Sequence, residues 1–193
     1  HWAEAITYLK SDSSITELIL SGGDPLSLST AKLKELTDAI AMLPQIKRLR
    51  PHTRLPVVLP ERIDAELLDW IHGLGWPLTV VIHANHAQEL MPDVAEAVSK
   101  LRRAGATMLN QAVLLKGVND QASEQIELSE RLFDIGVLPY YLHQLDKVQG
   151  AAHFQIDDEQ ALAIHQSMMQ ALPGYLVPKL VREVPGEASK TPL

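Results

Sequence analysis

The sequence predicts an α/β fold of parallel strands joined by helices, and it favours a (β/α) barrel over a doubly wound open sheet. Runs of β-favouring residues alternate strictly with amphipathic helical runs, at roughly 25 to 30 residues per unit. Polar residues also follow the ends of most predicted strands, at the edge where parallel α/β folds build their sites. These ends converge on one mouth in a barrel, whereas the outer strands of an open sheet lie far apart.

The predicted elements follow one another in a regular order. After an opening helix, six strands are predicted at residues 15–20, 46–54, 78–85, 107–115, 138–145 and 175–184. Five helices are predicted between them from apolar residues at helical spacing and from their boundary residues. These helices run from Ser29 or Thr30 to Pro44, from Pro60 to Gly75, up to Gly105, from Asp120 to Gly136, and from "IDDEQ" to Pro173.

Length and composition limit the possible classes of protein. With 193 residues, the chain is long enough for one domain over 1–193 with a substantial core. A net charge of −7, with scattered Lys and Arg, argues against nucleic acid as a partner. No apolar run approaches the ~20 residues of a membrane span, so we expect a cytoplasmic protein without membrane contact. The chain opens on His1, within a helical pattern, which favours a start inside a longer polypeptide.

The absence of cysteine excludes several kinds of site within these residues. Disulfides, thiolate nucleophiles, thiolate zinc sites and cysteine-ligated iron–sulfur clusters all require that residue.

The stretch "SGGDP" follows the first predicted strand. The glycines and the Asp-Pro pair can form a tight βα turn and nothing more. Alternatively, Gly22 and Gly23 remove side chains so that a ligand lies against the backbone, while Asp24 accepts hydrogen bonds from a cationic group. On these residues alone, both interpretations stay open.

The stretch "VVIHANH" places His83 and His86 near the end of the third strand. At strand spacing, His83 and Asn85 point the same way. Imidazole and carboxylate groups suit zinc and similar metals, so a metal site is one alternative. Its further candidate ligands are Asp24, His143, Asp146 and His153. The plainer alternative is one functional histidine among bystanders, and a site without metal.

Two amides interrupt the fourth strand, Asn110 and Gln111. Amides within an apolar strand cost free energy unless they are hydrogen-bonded. They are either core amides with all their hydrogen bonds made within the protein or groups that face a ligand. We favour the ligand-facing interpretation.

The tail "VREVPGEASKTPL" does not have a helical pattern. Pro185 and Gly186 predict a turn, and Lys190 follows in a loop of small residues. A solvated lysine is the default interpretation. A lysine in such a loop after a barrel strand is also a candidate nucleophile for imine formation.

Taken together, these stretches resemble the lysine 2,3-aminomutases of the radical S-adenosylmethionine (SAM) superfamily. The resemblance covers nearly the whole chain, in the family's order. It rests on "LILSGGDPL", "HTRLPVVLPERI", "VIHANHAQE", "LNQAVLLKGVND", "PYYLHQLDKVQGAAHF", "PGYLVPKL" and "PGEASKTPL". "HQLDKVQGAAHF" and "GEASKTPL" are most similar to the bacterial branch that makes (R)-β-lysine for modification of translation elongation factor P.

The resemblance implies a fold and a set of cofactor-binding residues. The fold would be a partial (β/α)6 barrel of the radical SAM type that lacks its first strand. The methionyl end of SAM would be bound by Ser21, Gly22, Gly23 and Asp24, and further SAM contacts would come from His83 and Gln111. A [4Fe-4S] cluster would cleave SAM, but the family's CxxxCxxC loop, which holds that cluster, is not in this chain.

The resemblance also implies a substrate site. Lys190, within a C-terminal segment at 173–193, matches the lysine that binds pyridoxal 5'-phosphate. Asp146 and Glu183 match two acids that hold the far amino group of the substrate L-lysine. Glu183 departs from the usual Asp, and the glycine-rich run before the lysine is reduced to "PGEAS".

Without the cluster loop, we expect this chain to be the C-terminal part of the enzyme and inactive by itself. Elongation factor P and its ligase are the implied functional partners, and the oligomeric state stays open. Two alternatives remain. One is a (β/α)-barrel metal-dependent hydrolase using His83, His86, His143 and Asp146, and the other is a non-catalytic remnant that binds SAM.

Overall fold

The computed structural model describes residues 2–146 and 148–193. Helices and strands alternate through these residues as the sequence predicts. The strands are β1 (Glu17–Leu20), β2 (Arg48–Thr53), β3 (Thr79–His83), β4 (Thr107–Val113), β5 (Leu138–His143), β6 (Lys179–Arg182) and β7 (Thr191–Pro192). The helices are α1 (Ala3–Ser11), α2 (Thr30–Ala41), α3 (Leu55–Val58), α4 (Ala65–His72), α5 (Pro92–Arg103), α6 (Ala122–Asp134) and α7 (Asp158–Ala171).

All six predicted strands are present, and each is shorter than predicted. β6 differs most, because a 3-10 turn at Gly174–Leu176 occupies the start of the predicted run. The tail after β6 contains a strand that was not predicted. β7 pairs antiparallel with β6, with Val181 opposite Pro192 and Arg182 opposite Thr191. A two-residue strand is too short to carry a hydrophobic period, so no sequence pattern predicts it.

Helix starts depend on local capping, and two predicted starts were wrong. α4 begins at Ala65 and not directly after Pro60, because the Asp64 side chain accepts a hydrogen bond from Leu67 N at 2.8 Å. The residue that caps α6 is Gln121 and not Asp120. Its N–H donates to the Glu124 side chain at 2.9 Å, as in a capping box.

The described chain divides into two compact units. Unit 1 comprises the described residues up to Ile82 together with Glu96–Met108, and unit 2 comprises His83–Ala95 and Leu109–Leu193. In unit 1, β1 pairs in parallel with β2, and β2 with β3. In unit 2, β4 pairs in parallel with β5, and β5 with β6. Within each unit, successive parallel strands are neighbours in the sheet, which is the topology of successive βα units.

The core of unit 1 is built around one face of α2. Leu36 and Ile40 on this face are buried, and they pack in a cluster with Leu9, Leu43 and Ile46. The indole N–H of Trp70 in α4 donates to the Thr37 hydroxyl at 3.1 Å. This bond joins α4 to α2 and satisfies the one polar group of a large buried side chain.

Unit 2 has its own apolar core and a buried polar residue, Asn119, that bonds the loop after β4. The core contains Leu114, Leu128, Leu132, Leu142 and Met168, all at 2% exposure or less. The buried Asn119 side chain accepts from Leu115 N at 2.7 Å and donates to Val113 O at 2.9 Å. The loop after β4 is therefore held close to the end of the strand.

None of the helices in the described ranges combines the length and the apolar character that crossing a membrane requires.

Candidate functional site

The turn after β1 has a backbone that only glycine adopts readily. Gly22 has φ +82° and Gly23 has φ +52°, in the left-handed region that a Cβ disfavours. A Cβ added at either position would meet no atom within 4 Å. Glycine is required here by backbone conformation and not by crowding. The open space beside the turn is compatible with a ligand that lies against the backbone.

Asp24 fastens this turn to the end of β2. Its Oδ1 accepts from Thr53 Oγ1 at 2.6 Å and from Leu26 N at 3.1 Å, and its Oδ2 accepts from Arg54 N at 2.6 Å. Because a carboxylate offers about four acceptor positions, a place remains for a ligand donor. These bonds give Asp24 a structural role that the sequence did not reveal. Its contact with a cofactor stays a prediction.

Asn85 and His86, which follow β3, accept hydrogen bonds from backbone N–H groups of unit 2. The Asn85 side chain accepts from Val113 N at 2.8 Å. His86 Nδ1 accepts from Gln88 N at 3.1 Å and caps the 3-10 turn at Ala87–Glu89. His83 lies at the end of β3 and is partly buried. Contact of His83 with SAM stays a prediction.

The two amides of β4 have different roles. Asn110 is a satisfied core amide, since it accepts from Ala84 N at 2.8 Å and donates to Ala84 O at 3.0 Å. The preference for a ligand-facing role was therefore wrong for Asn110. A β-bulge follows, with Asn110 opposite Pro139 but Gln111 opposite Tyr141. The Gln111 Oε1 is buried and has no hydrogen-bond partner within residues 2–146 and 148–193.

A cavity of about 700 Å³ lies in unit 2 beside the ends of β5 and β6. Asp146 and Glu183, the two predicted substrate-binding acids, both line this cavity. The structure thus brings together two carboxylates that are 37 positions apart in the sequence. The other polar residues that line it are Gln144, Gln155, Asp158, Arg182 and Glu187.

Among the described residues of the cavity wall, acidic side chains outnumber basic ones. Arg182 pairs with Asp158, and a hydrogen bond from Arg182 lowers the pKa of Asp158, with a second from Gln144. The remaining carboxylates on the wall are Asp146, Glu183 and Glu187. Cationic and donor-rich groups are the ligands that such a wall favours.

Lys190 is placed beside this wall by the β6–β7 pairing. Its ammonium forms an ion pair with Glu183 and lies 5.5 Å from the centroid of the Tyr141 ring. The hydrogen bond and the charge of Lys190 lower the pKa of Glu183, and His143 adds to this effect while burial opposes it. Lys190 therefore lies in the predicted loop, where its ammonium contacts Glu183 and the Tyr141 ring.

The metal-site alternative receives no geometric support in the described part of the chain. Within it, no three His, Cys, Asp or Glu side chains are grouped so that they could hold a metal ion. His86 is also engaged in capping a turn.

Known proteins similar to this chain were found by sequence. The L-lysine 2,3-aminomutase of Escherichia coli (strain K12) is 48% identical over 193 residues, which is 100% of this chain and 56% of the relative. That of Haemophilus influenzae is 47% identical over 190 residues, or 98% of this chain and 56% of the relative. This chain is a homologue of the lysine 2,3-aminomutases. It spans about half the length of the lysine 2,3-aminomutases that it matches.

More distant lysine 2,3-aminomutases also match along the chain. That of Clostridium subterminale is 34% identical over 190 residues, which cover 98% of this chain and 45% of the relative. No family model matches the sequence.

Solved structures confirm the fold class predicted for this lysine 2,3-aminomutase homologue. A radical SAM methyltransferase from Sphaerobacter thermophilus aligns with a TM-score of 0.60 at 15% identity, over 93% of this chain and 56% of that chain. A domain of a pyruvate-formate lyase-activating enzyme from Bacteroides vulgatus aligns with a TM-score of 0.55 at 12% identity, over 88% of this chain and all of that domain. The fold is that of the radical SAM enzymes.

Sequence reasoning missed several polar residues of the aminomutase homologue. Thr53 binds Asp24, while Gln144 and the Asp158–Arg182 pair line the acidic cavity. Gln144 carried a usable signal, because it is a polar residue directly after a strand end. The Asp158–Arg182 pair joins distant segments and carried none.

Proposed function

We propose that the protein that carries this chain is an L-lysine 2,3-aminomutase, an isomerase that moves the α-amino group of L-lysine to C3 and yields (R)-β-lysine. One observation carries the proposal. In a chain 48% identical to a protein of that name, Lys190 contacts an acid on the wall of a cavity that holds a second acid, Asp146.

The acidic cavity would bind the far end of L-lysine. Its ammonium group is a cation with three N–H donors, which match carboxylate acceptors. Asp146 and Glu183 would share this ammonium, and two acids on one wall would orient the side chain as well as bind it. Contact with Lys190 lowers the pKa of Glu183, which favours the carboxylate form that would accept from a cation.

Lys190 would hold pyridoxal 5'-phosphate. That cofactor, when bound, would supply a conjugated ring that stabilises an unpaired electron next to the migrating nitrogen. To attach it, the Lys190 ammonium would lose a proton and give up its contact with Glu183. Release of Lys190 would leave the Glu183 carboxylate free to accept from the substrate. The neighbouring Tyr141 ring would limit the positions of the Lys190 side chain.

Residues of the first βα turn and of the bulged strand β4 would bind SAM. SAM and its [4Fe-4S] cluster, when bound, would supply the radical that removes hydrogen from the substrate. The open backbone at Ser21, Gly22 and Gly23 would receive the methionyl group, and Asp24 has an acceptor position left for its ammonium. The Gln111 Oε1, to which no described residue donates a hydrogen bond, fits a donor group of this cofactor, and His83 would contact it too. The cluster's cysteine ligands would lie outside these 193 residues, which contain no cysteine.

We further propose that the product serves the modification of elongation factor P by its ligase. Support comes from the relatives at 44–48% identity, against 34% for that of Clostridium subterminale, and from "HQLDKVQGAAHF" and "GEASKTPL". This role would place the protein in the cytoplasm.

Anaerobic turnover tests the proposal. The complete gene product, with a reconstituted cluster, pyridoxal phosphate and SAM, should convert L-lysine to β-lysine, as measured by chromatography and mass spectrometry. Asp146→Asn and Glu183→Gln should each raise the KM for L-lysine by about tenfold or more, since a hydrogen bond between charged groups is lost. The alternative remnant predicts SAM binding without product. Failure to form β-lysine in the reconstituted protein would refute the aminomutase proposal.

A further inference from the structure

Gln144 is a buried amide on the wall of the acidic cavity. It follows directly after β5, and its backbone N–H donates to Val181 O at 2.8 Å. Only 8% of the residue is exposed, and it lines the same cavity as Asp146 and Glu183. The residue is therefore anchored through its backbone to β6, with its side chain at the cavity.

The orientation of the Gln144 amide is fixed by Asp158. The Nε2 donates to Asp158 Oδ1 at 3.0 Å and lies 3.4 Å from Ile156 O. Rotating the amide by half a turn would set Oε1 against these two acceptors, which rules that orientation out. Oε1 consequently points away from them. It is shielded from solvent, and no described residue donates a hydrogen bond to it.

A shielded carbonyl oxygen without a donor is destabilising, so the site favours a ligand that brings one. The other groups on this wall restrict the chemistry of that ligand. Asp146, Glu183 and Glu187 are acceptors too when ionised. A ligand that satisfies several acceptors at once must be a donor on all sides and positively charged, which describes a primary ammonium.

We propose that Gln144 is a specificity-determining residue whose Oε1 accepts a hydrogen bond from the distal ammonium of the substrate, beside Asp146 and Glu183. This inference rests on the proposed function and deepens it. Three acceptors match the three N–H donors of a primary ammonium. Gln144 thereby favours a substrate with –NH₃⁺ at its far end over one that ends in a methyl group or in a trimethylated nitrogen.

Binding measurements separate this role from a purely structural one. The complete gene product, loaded with pyridoxal phosphate but without SAM, is titrated calorimetrically with L-lysine, with norleucine, which ends in a methyl group, and with Nε-trimethyl-lysine. Gln144→Met removes the acceptor with little change in volume. Gln155→Met is the matched control, because Gln155 lines the same cavity but is exposed. Gln144→Asn keeps the amide but withdraws its carbonyl oxygen by one methylene group.

The expected result is a change in preference, and not only in affinity. Gln144→Met should reduce the preference for L-lysine over both analogues by about tenfold, the value of one hydrogen bond to a charged group. Gln155→Met should leave the preference within about twofold, and Gln144→Asn should reduce it. If Gln144 only holds Asp158, Gln144→Met weakens all three ligands equally, and the inference is overturned.

Two further outcomes keep the inference distinct from the proposed function. If the unaltered protein shows no preference for L-lysine over norleucine, the cavity does not bind the distal ammonium. The proposed substrate site and the role of Gln144 are then both refuted. If the unaltered protein shows that preference and Gln144→Met keeps it, only the role of Gln144 falls. Should Gln144→Met not fold, Gln144→Asn decides, since an unchanged preference in that variant contradicts the role.

Discussion

Lys190 lowers the pKa of Glu183 at the edge of the cavity. Lys190→Met should therefore raise that pKa toward the ordinary value of 4.5. Carbon-13 NMR of the Glu183 carboxyl during acid titration measures the change. Lys179→Met, at an exposed lysine of β6, is the matched control and should leave the pKa as it is. An unchanged titration of Glu183 in Lys190→Met would contradict the ion pair.

The same pair predicts a direction for stability against pH. A carboxyl whose pKa is lowered on folding stabilises the native state above its unfolded pKa, and this contribution is lost as the pH falls through the folded pKa. Urea unfolding should therefore show a stability difference between the unaltered protein and Lys190→Met at neutral pH that shrinks in acid. Glu183 is largely exposed, which keeps the difference small.

Thr53 holds Asp24, in the turn after β1, through a side-chain hydrogen bond. Thr53 is 1% exposed, and its hydroxyl donates to Asp24 and accepts from Leu55 N at 3.1 Å. Thr53→Val keeps the shape and removes both bonds, so we expect a loss of about 1–3 kcal/mol in the free energy of unfolding. Thr107→Val, at the exposed first position of β4, should change it by less than about 0.5 kcal/mol. Equal effects of the two variants in urea unfolding would show that the Asp24–Thr53 bond is unimportant.

The turn after β1 depends on backbone conformation at the scale of an element. Gly22→Ala places a Cβ in the left-handed region and should cost about 1–2 kcal/mol in unfolding free energy. Gly75→Ala is the matched control. A Cβ there also meets no atom within 4 Å, but its φ lies outside the positive range. Thermal or urea unfolding that ranks Gly75→Ala as the more damaging change would contradict the account of this turn.

The elements show which structural features the sequence could predict. Long periodic runs such as α2 and β4 were predicted because their buried faces repeat at the helical or strand period. β7 was not, since pairing with β6 stabilises it and its own two residues carry no pattern. Asn110 and Gln111 are adjacent amides, and only the hydrogen bonds of the folded chain distinguish the satisfied one from the other.

For the molecule as a whole, strand-end polar residues were the informative signal for the site. Asp146 follows a strand end and lines the cavity, while Glu183 was inferred only through resemblance. The charge balance of the cavity could not be predicted, because the Asp158–Arg182 pair forms between α7 and β6. Such pairings depend on the tertiary fold.

We propose that Lys190 carries pyridoxal phosphate beside an acidic cavity that binds L-lysine. The most direct test is to add pyridoxal phosphate to the complete gene product, reduce it with borohydride and map the labelled peptide by mass spectrometry. The account predicts stoichiometric label on the peptide that contains Lys190 and its loss in Lys190→Ala. Label on another lysine, or label that persists unchanged in Lys190→Ala, would contradict it.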